Sequence, residues 1–180
     1  MLTSLFRATR PLGITVLALV AASPVMAHPG GLAIGGWTAG FAHPLHGWDH
    51  FVVMVAVGLW AAQQEGRARW MIPATFVSLM AIGGLVGVSG LQMPGVEAMI
   101  LVSVVILAGL VLLRWHLPLG VGMAVVALFA FFHGFAHGQE IPDTAHLVSF
   151  GLGFLMATAL LHGLGYALGH VRVAFAARAG

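Results

Sequence analysis

The chain has no cysteine, no lysine and very few charged side chains of any kind. Only 7% of its 180 residues are charged, and all seven cationic side chains are arginines. Without cysteine there can be no disulfide or thiolate metal site, and without lysine no P-loop lysine to bind nucleotide phosphates. The arginines are scattered along the chain, unlike the clustered cations of a nucleic-acid-binding surface. These absences exclude disulfide scaffolds and P-loop ATPases, and we expect no nucleic-acid partner.

What the chain does have is apolar sequence: 60% of its residues are hydrophobic and its mean hydropathy is +1.02. Apolar runs of nearly twenty residues recur, and a helix of that length crosses a lipid bilayer. We predict an all-α polytopic membrane helix bundle with five full transmembrane helices after a short N-terminal half-helix at 31–42. The predicted spans cover residues 45–63, 70–88, 96–113, 119–137 and 145–169. Together they form a single transmembrane domain over residues 28–180.

The first 27 residues have the pattern of a cleavable signal peptide. Arg7 and Arg10 precede an apolar stretch, and small residues follow at Val25 and Ala27, the −3 and −1 positions of a cleavage site. The alternative interpretation is an uncleaved anchor helix. Cleavage after Ala27 would place a new N-terminus, His28, outside the cytoplasm.

The positions of the arginines predict how the chain is oriented. Arg67, Arg69, Arg114, Arg172 and Arg178 all fall in alternate loops or in the tail, and the remaining loops carry no arginine. Because cytoplasmic loops are enriched in positive charge, we place these segments inside. The prediction is a multi-pass protein of the bacterial inner membrane with a periplasmic mature N-terminus and a cytoplasmic C-terminus.

Histidine is unusually common, and this topology brings two groups of polar residues to the outer side. Residues four apart share a helix face, so the pairs His46/His50 and His133/His137 each predict a patch of imidazoles. Imidazole with carboxylate oxygen suits Ni²⁺, Co²⁺, Zn²⁺, Cu²⁺ or Fe²⁺, whereas Ca²⁺ and Mg²⁺ prefer oxygen alone. The candidate metal ligands are His43, His46, Asp49, His50, His133, His137 and Glu140. The two carboxylates could instead orient histidines without binding the ion.

Other histidines divide into secondary candidates and ordinary structural residues. His28, His146 and His162 are secondary metal candidates, while His116 and His170 are expected to be hydrogen-bonded structural residues. Each ionisable residue within a span costs about 2.5 to 3.5 kcal/mol on insertion scales. Six or seven at one depth therefore favour a shared metal or proton site over scattered structural roles.

The two histidine motifs resemble those of the HupE/UreJ family. The family's HPxxGxDH motif corresponds to "HPLHGWDH" at 43–50, and its second motif to "FHGFAHGQE" at 132–140. These small membrane proteins are associated with hydrogenase and urease maturation and regarded as nickel permeases. The resemblance implies that His43, Asp49, His50, His133, His137 and Glu140 recognise metal, and that Pro44 and Gly47 shape the first motif. The family's six-helix design differs from the five spans and short segment predicted here.

We therefore expect facilitated uptake of a divalent transition metal. The resemblance selects Ni²⁺ as the transported ion, although the ligand types suit Co²⁺ or Zn²⁺ as well. The expected partners are the ion, the lipid bilayer and cytoplasmic nickel maturation factors. Two alternatives stay open: an intramembrane zinc hydrolase, against which stands the lack of an HExxH motif, and a metal-binding accessory protein that does not transport.

Overall fold

A computed structural model describes residues 36–141 and 146–178, with side chains described as far as residue 171. All regular structure in these ranges is α-helical. The predicted signal peptide, its cleavage site and His28 lie outside the described residues. The helices are α1 Trp37–His46, α2 Trp48–Gln63, α3 Ala68–Gly87, α4 Val96–Leu112, α5 Leu119–Gln139 and α6 Leu147–Arg178.

Three of these helices are long and apolar enough to cross a membrane. They are α3, α5 and the Leu147–Val171 part of α6, and α1 with α2 adds a fourth span if the bent pair counts as one. The remaining helix, α4, is apolar but has only 17 residues. Large apolar side chains such as Leu85, Leu112 and Val148 are exposed, while Phe76 and Phe135 are fully buried. Apolar residues both inside and outside a bundle are typical of helices solvated by lipid.

The first predicted span is interrupted, which corrects the sequence interpretation. The predicted span begins at residue 45, but Pro44 lies inside α1 and the next helix begins at Trp48. The two helices meet at 87°. Gly47 has extended backbone between them, with φ −85° and ψ 105°. Proline has no N–H for the last turn of α1 and glycine is a poor helix former, so together they end the helix there.

Backbone-to-backbone glycine contacts join α3 to α5. A Cβ atom added to Gly134 would overlap the carbonyl oxygen of Met80, and one added to Gly83 would overlap that of Phe131. Gly87 and Gly138 repeat the pattern one turn away. Small residues four apart let membrane helices pack this closely. The glycine spacings therefore hold α3 and α5 together along the half of each helix that leads to the site.

Similar glycine contacts join α6 to both α1 and α2. Near its start, Gly153 packs against the carbonyl of Trp37 on α1; further along, Gly165 packs against that of Val55 on α2. From the other side, Gly58 of α2 packs against the carbonyl of His162. The long α6 helix thus supports both arms of the bend.

At the opposite end of α2, polar side chains close the bundle. Trp60 Nε1 donates to the carbonyl of Trp115 at 2.8 Å, and Gln63 Nε2 donates to that of Val111 at 3.1 Å. The first bond reaches the loop that follows α4, and the second reaches the last turn of α4. They also fix the C-terminal end of α2 against α4. The first turn of α2 lies at the opposite end of that helix.

Candidate metal-binding site

The bend at Gly47 and the end of α5 bring the two histidine motifs together. His43 lies on the last turns of α1, and His50 lies on the first turn of α2. His133 and His137 occupy the last two turns of α5, and Glu140 follows as its C-terminal cap residue. The two motifs therefore meet in the structure, as predicted. The first motif contributes residues from two helices joined by a bend, and not from one continuous helix.

Three residues have ligand atoms close enough to hold one ion. Atoms of His43, His137 and Glu140 all lie within 4.8 Å of one another. His43 Nε2 is 3.0 Å from Glu140 Oε2, and His137 Nδ1 is 3.4 Å from the same oxygen. The side chain of Glu140 is 44% exposed and that of His137 only 4%. The group therefore extends from the surface of the bundle into its interior.

Two further histidines continue this group inward. The ring of His50 lies 4.1 Å from the ring of His137 and 5.3 Å from that of His133, measured between ring centres. His133 is fully buried. Phe154 of α6 covers the other side, with its ring 4.5 Å from that of His137. Four imidazoles and one carboxylate thus form a continuous cluster.

Several ring nitrogens in this cluster have lone pairs available for a ligand. His133 Nδ1 is 2.9 Å from the carbonyl of Phe129. A carbonyl only accepts, so Nδ1 carries the proton and Nε2 has the lone pair. Within the described part of the chain, no hydrogen-bond partner exists for His133 Nε2, for His50 Nδ1 or for either ring nitrogen of His137. Buried polar atoms are nearly always paired, so this concentration of exceptions indicates a binding site.

The two carboxylates occupy different places around the rings. Asp49 Oδ1 accepts the backbone N–H of His50 at 3.0 Å and lies 3.8 Å from His50 Nε2. Asp49 is thus placed beside a histidine and outside the three-residue group, as expected of a residue that orients a ligand. The close contact with His137 and the hydrogen bond from His43 lower the pKa of Glu140 well below its usual range. Glu140 is therefore ionised at neutral pH and supplies a negative charge beside the imidazole rings.

The structure separates some predicted residues from the cluster. His46 is exposed, and its Nδ1 donates to the carbonyl of Ala42 at 2.7 Å. The prediction that it shares a helix face with His50 is wrong, because the bend at Gly47 places the two on different helices. His146 is exposed just before α6. His162 is buried deeper along α6, against Phe76.

Sequence reasoning missed the aromatic walls of the site. Phe150 and Phe154, four residues apart on α6, both contact the ring of His43, at 5.8 and 6.0 Å between centres. Their spacing at the start of the last span was the signal that could have revealed them. His116 and His170 each donate to a backbone carbonyl, as expected of structural histidines.

These features define an α-helical membrane protein with a partly buried histidine and carboxylate cluster at one end of its bundle. A model of the protein family described as HupE / UreJ protein matches residues 16–179, and the chain belongs to this family. It is 42% identical to Protein HupE of Rhizobium leguminosarum bv. viciae over 158 residues, which cover 88% of this chain and 82% of the relative. The resemblance inferred from the two motifs is confirmed. No solved structure matches the chain.

Proposed function

We propose that the protein admits a divalent transition-metal ion, Ni²⁺ in the first place, through the bacterial inner membrane. The observation that carries the proposal is the convergence of His43, His137 and Glu140 to within 4.8 Å from two separate motifs. Nitrogen and oxygen ligands of this kind suit Ni²⁺, and equally Co²⁺ or Zn²⁺. We propose nickel among them because the chain belongs to the HupE / UreJ family.

The proposal includes a topology. The mature domain at 28–180 crosses the membrane five times after removal of residues 1–27, with α4 as one of the spans. The α2–α3 loop with Arg67, the α4–α5 loop with Arg114 and the C-terminus face the cytoplasm. The cluster then faces the periplasm, because it lies at the C-terminal end of α5. This placement suits a site that takes up ions arriving from outside.

Capture begins at the exposed edge of the cluster. The carboxylate of Glu140 attracts the cation, and the hydrogen bond from His43 holds that carboxylate toward His137. The ion then exchanges water for imidazole nitrogens, first His43 and His137 and then His50 and His133. Asp49 orients His50 and offsets part of the ion's charge. After that first exchange, each step replaces one imidazole nitrogen with another, so the ion need not be released to water between them.

The membrane potential is sufficient to drive this movement. Each positive charge gains about 2.3 kcal/mol per 100 mV on moving to the negative side, so a divalent ion gains roughly 4 to 5 kcal/mol. Facilitated diffusion therefore needs no ATP hydrolysis. On the cytoplasmic side the ion would pass to maturation factors that assemble nickel enzymes.

Metal uptake into proteoliposomes tests the proposal. Purified protein is reconstituted with an inside-negative potential and offered Ni²⁺, Co²⁺ and Zn²⁺ in turn. We expect potential-driven Ni²⁺ entry that is lost in His50→Ala and in His137→Ala. The matched control is His116→Ala, because His116 is exposed and contacts a backbone carbonyl outside the cluster. Tight binding without flux in the wild type would contradict transport and favour an accessory metal-binding protein or a metal-dependent hydrolase.

A further inference from the structure

A second group of donor atoms lies inside the bundle, away from the cluster. The hydroxyl of Thr158 on α6 is 3.4 Å from the sulfur of Met54 on α2 and 3.9 Å from that of Met80 on α3. All three residues are buried. Two thioethers and a hydroxyl from three helices therefore meet at one point. Packing of apolar side chains alone does not require these donor atoms to lie together.

His162 adds an imidazole to this group. It lies four residues beyond Thr158 on the same face of α6 and is 4% exposed. Neither of its ring nitrogens has a hydrogen-bond partner among the residues that the structure describes. Helical histidines outside the cluster, such as His46 and His170, donate Nδ1 to the carbonyl one turn back. His162 does not make that bond, so it lacks the feature that marks the structural histidines of this chain.

A row of rings connects this group to the cluster. His50 and His133 are 5.3 Å apart between ring centres, His133 and Phe76 are 6.0 Å apart, and Phe76 and His162 are 5.1 Å apart. Phe76 and Met80 lie four apart on α3, so the same helix face contacts both His133 and Thr158. The second group is therefore the next set of donor atoms that an ion leaving the cluster would meet.

We propose that Met54, Met80, Thr158 and His162 form a second metal-binding site, here called the mid-bundle site. The inference rests on the proposed function, because it gives the captured ion its next position. Thioether and imidazole donors suit late transition metals and not Mg²⁺ or Ca²⁺. All four donors are neutral, so the site binds a divalent ion more weakly than the cluster with Glu140. Weak intermediate binding is what passage requires, since an ion held too tightly cannot leave.

The first test separates binding at the cluster from movement past it. His162→Leu and the double variant Met54→Leu/Met80→Leu are compared with Met156→Leu, whose side chain is half exposed on the outside of α6. Ni²⁺ affinity is measured in detergent and Ni²⁺ flux in proteoliposomes. We expect both mid-bundle variants to retain cluster affinity and to lose roughly tenfold or more of the flux. Retained affinity also shows that each variant is folded. Wild-type flux in both variants would overturn the mid-bundle site and leave the transport proposal intact.

A spectroscopic test does not depend on transport. Protein saturated with Ni²⁺ is studied by X-ray absorption at the nickel edge. We expect sulfur scattering in the wild type and in Met156→Leu, and its loss in Met54→Leu/Met80→Leu. The absence of sulfur scattering from saturated wild type would overturn the mid-bundle site. If wild-type vesicles admit no Ni²⁺ yet sulfur scattering is present, the transport proposal fails and the mid-bundle site stands as a binding site.

Discussion

The imidazole rings of His50 and His137 lie 4.1 Å apart between their centres, although they belong to different motifs and different helices. His50 is placed by the bend at Gly47, and His137 by the close packing of α5 against α3. Neither motif alone presents the group of rings. The proposed ion-binding unit is therefore tertiary, and variants in either motif should affect the same bound metal.

Replacing His137 should remove a metal ligand from the centre of the cluster, whereas replacing His46 should not. We expect His137→Ala to weaken Ni²⁺ binding in detergent by roughly 100-fold. Removing a residue that only supports a metal ligand lowers the metal affinity by about 10- to 100-fold, and removing the ligand itself should cost at least the upper value. His46→Ala should change the affinity less than about twofold, because that ring is exposed and bonded to Ala42. Calorimetric titration of both variants measures the difference. An equal loss of Ni²⁺ affinity in His46→Ala would instead support the prediction that His46 and His50 act together from one helix face.

Two glycines of α6 that are two residues apart should respond oppositely to alanine. A methyl group at Gly165 would collide with the carbonyl of Val55, whereas one at Gly163 meets no atom within 4 Å. Gly165→Ala should lower the free energy of unfolding by about 1 to 3 kcal/mol through overpacking. Gly163→Ala should raise it by about 0.5 to 1 kcal/mol, because alanine is the better helix former. Thermal unfolding in detergent compares them, and equal effects would argue against close packing of α6 on α2.

Glu140→Gln should weaken metal binding to a similar extent at every pH between about 7.5 and about 5.5. The pKa of Glu140 is lowered by its two histidine neighbours, so its carboxylate remains charged throughout this range. The variant therefore removes the same negative charge at every pH in this range, and its Ni²⁺ affinity should be lower by a constant factor. The same titrations measure this factor, and a difference between wild type and Glu140→Gln that disappears toward about pH 5.5 would show that the carboxylate takes up a proton there.

The absence of cysteine from the chain makes the proposed topology directly testable. Single-cysteine variants Glu65→Cys and Gln92→Cys place thiols in the exposed loops that follow α2 and α3. In intact cells whose outer membrane has been permeabilised, a thiol reagent that cannot cross the inner membrane should label Gln92→Cys and spare Glu65→Cys. Labelling after full solubilisation controls for reactivity. The reverse pattern would place the histidine cluster on the cytoplasmic side.

The sequence predicted the helices best where hydropathy was the dominant signal. Hydropathy predicted α3 and α5 within two residues, because their apolar runs end at polar loops. The break at Gly47 could not be predicted, because a proline favours both the start of a helix and the end of one. The structure shows that the second case applies, because Pro44 lies in the last turn of α1. That single difference explains why His43 lies in the cluster and His46 lies outside it.

The distribution of the glycine contacts has a mechanical consequence. They join α3 to α5 and, separately, α6 to α1 and α2, so five of the six described helices form two closely packed groups, here called the two halves of the bundle. The contacts His43–Glu140, His50–His137 and Thr158–Met80 all cross from one half to the other. A small rocking of one half against the other would therefore change the coordination of an ion while leaving the tight helix pairs unchanged. Such a protein would need no flexible hinge to alternate between holding its cargo and letting it go.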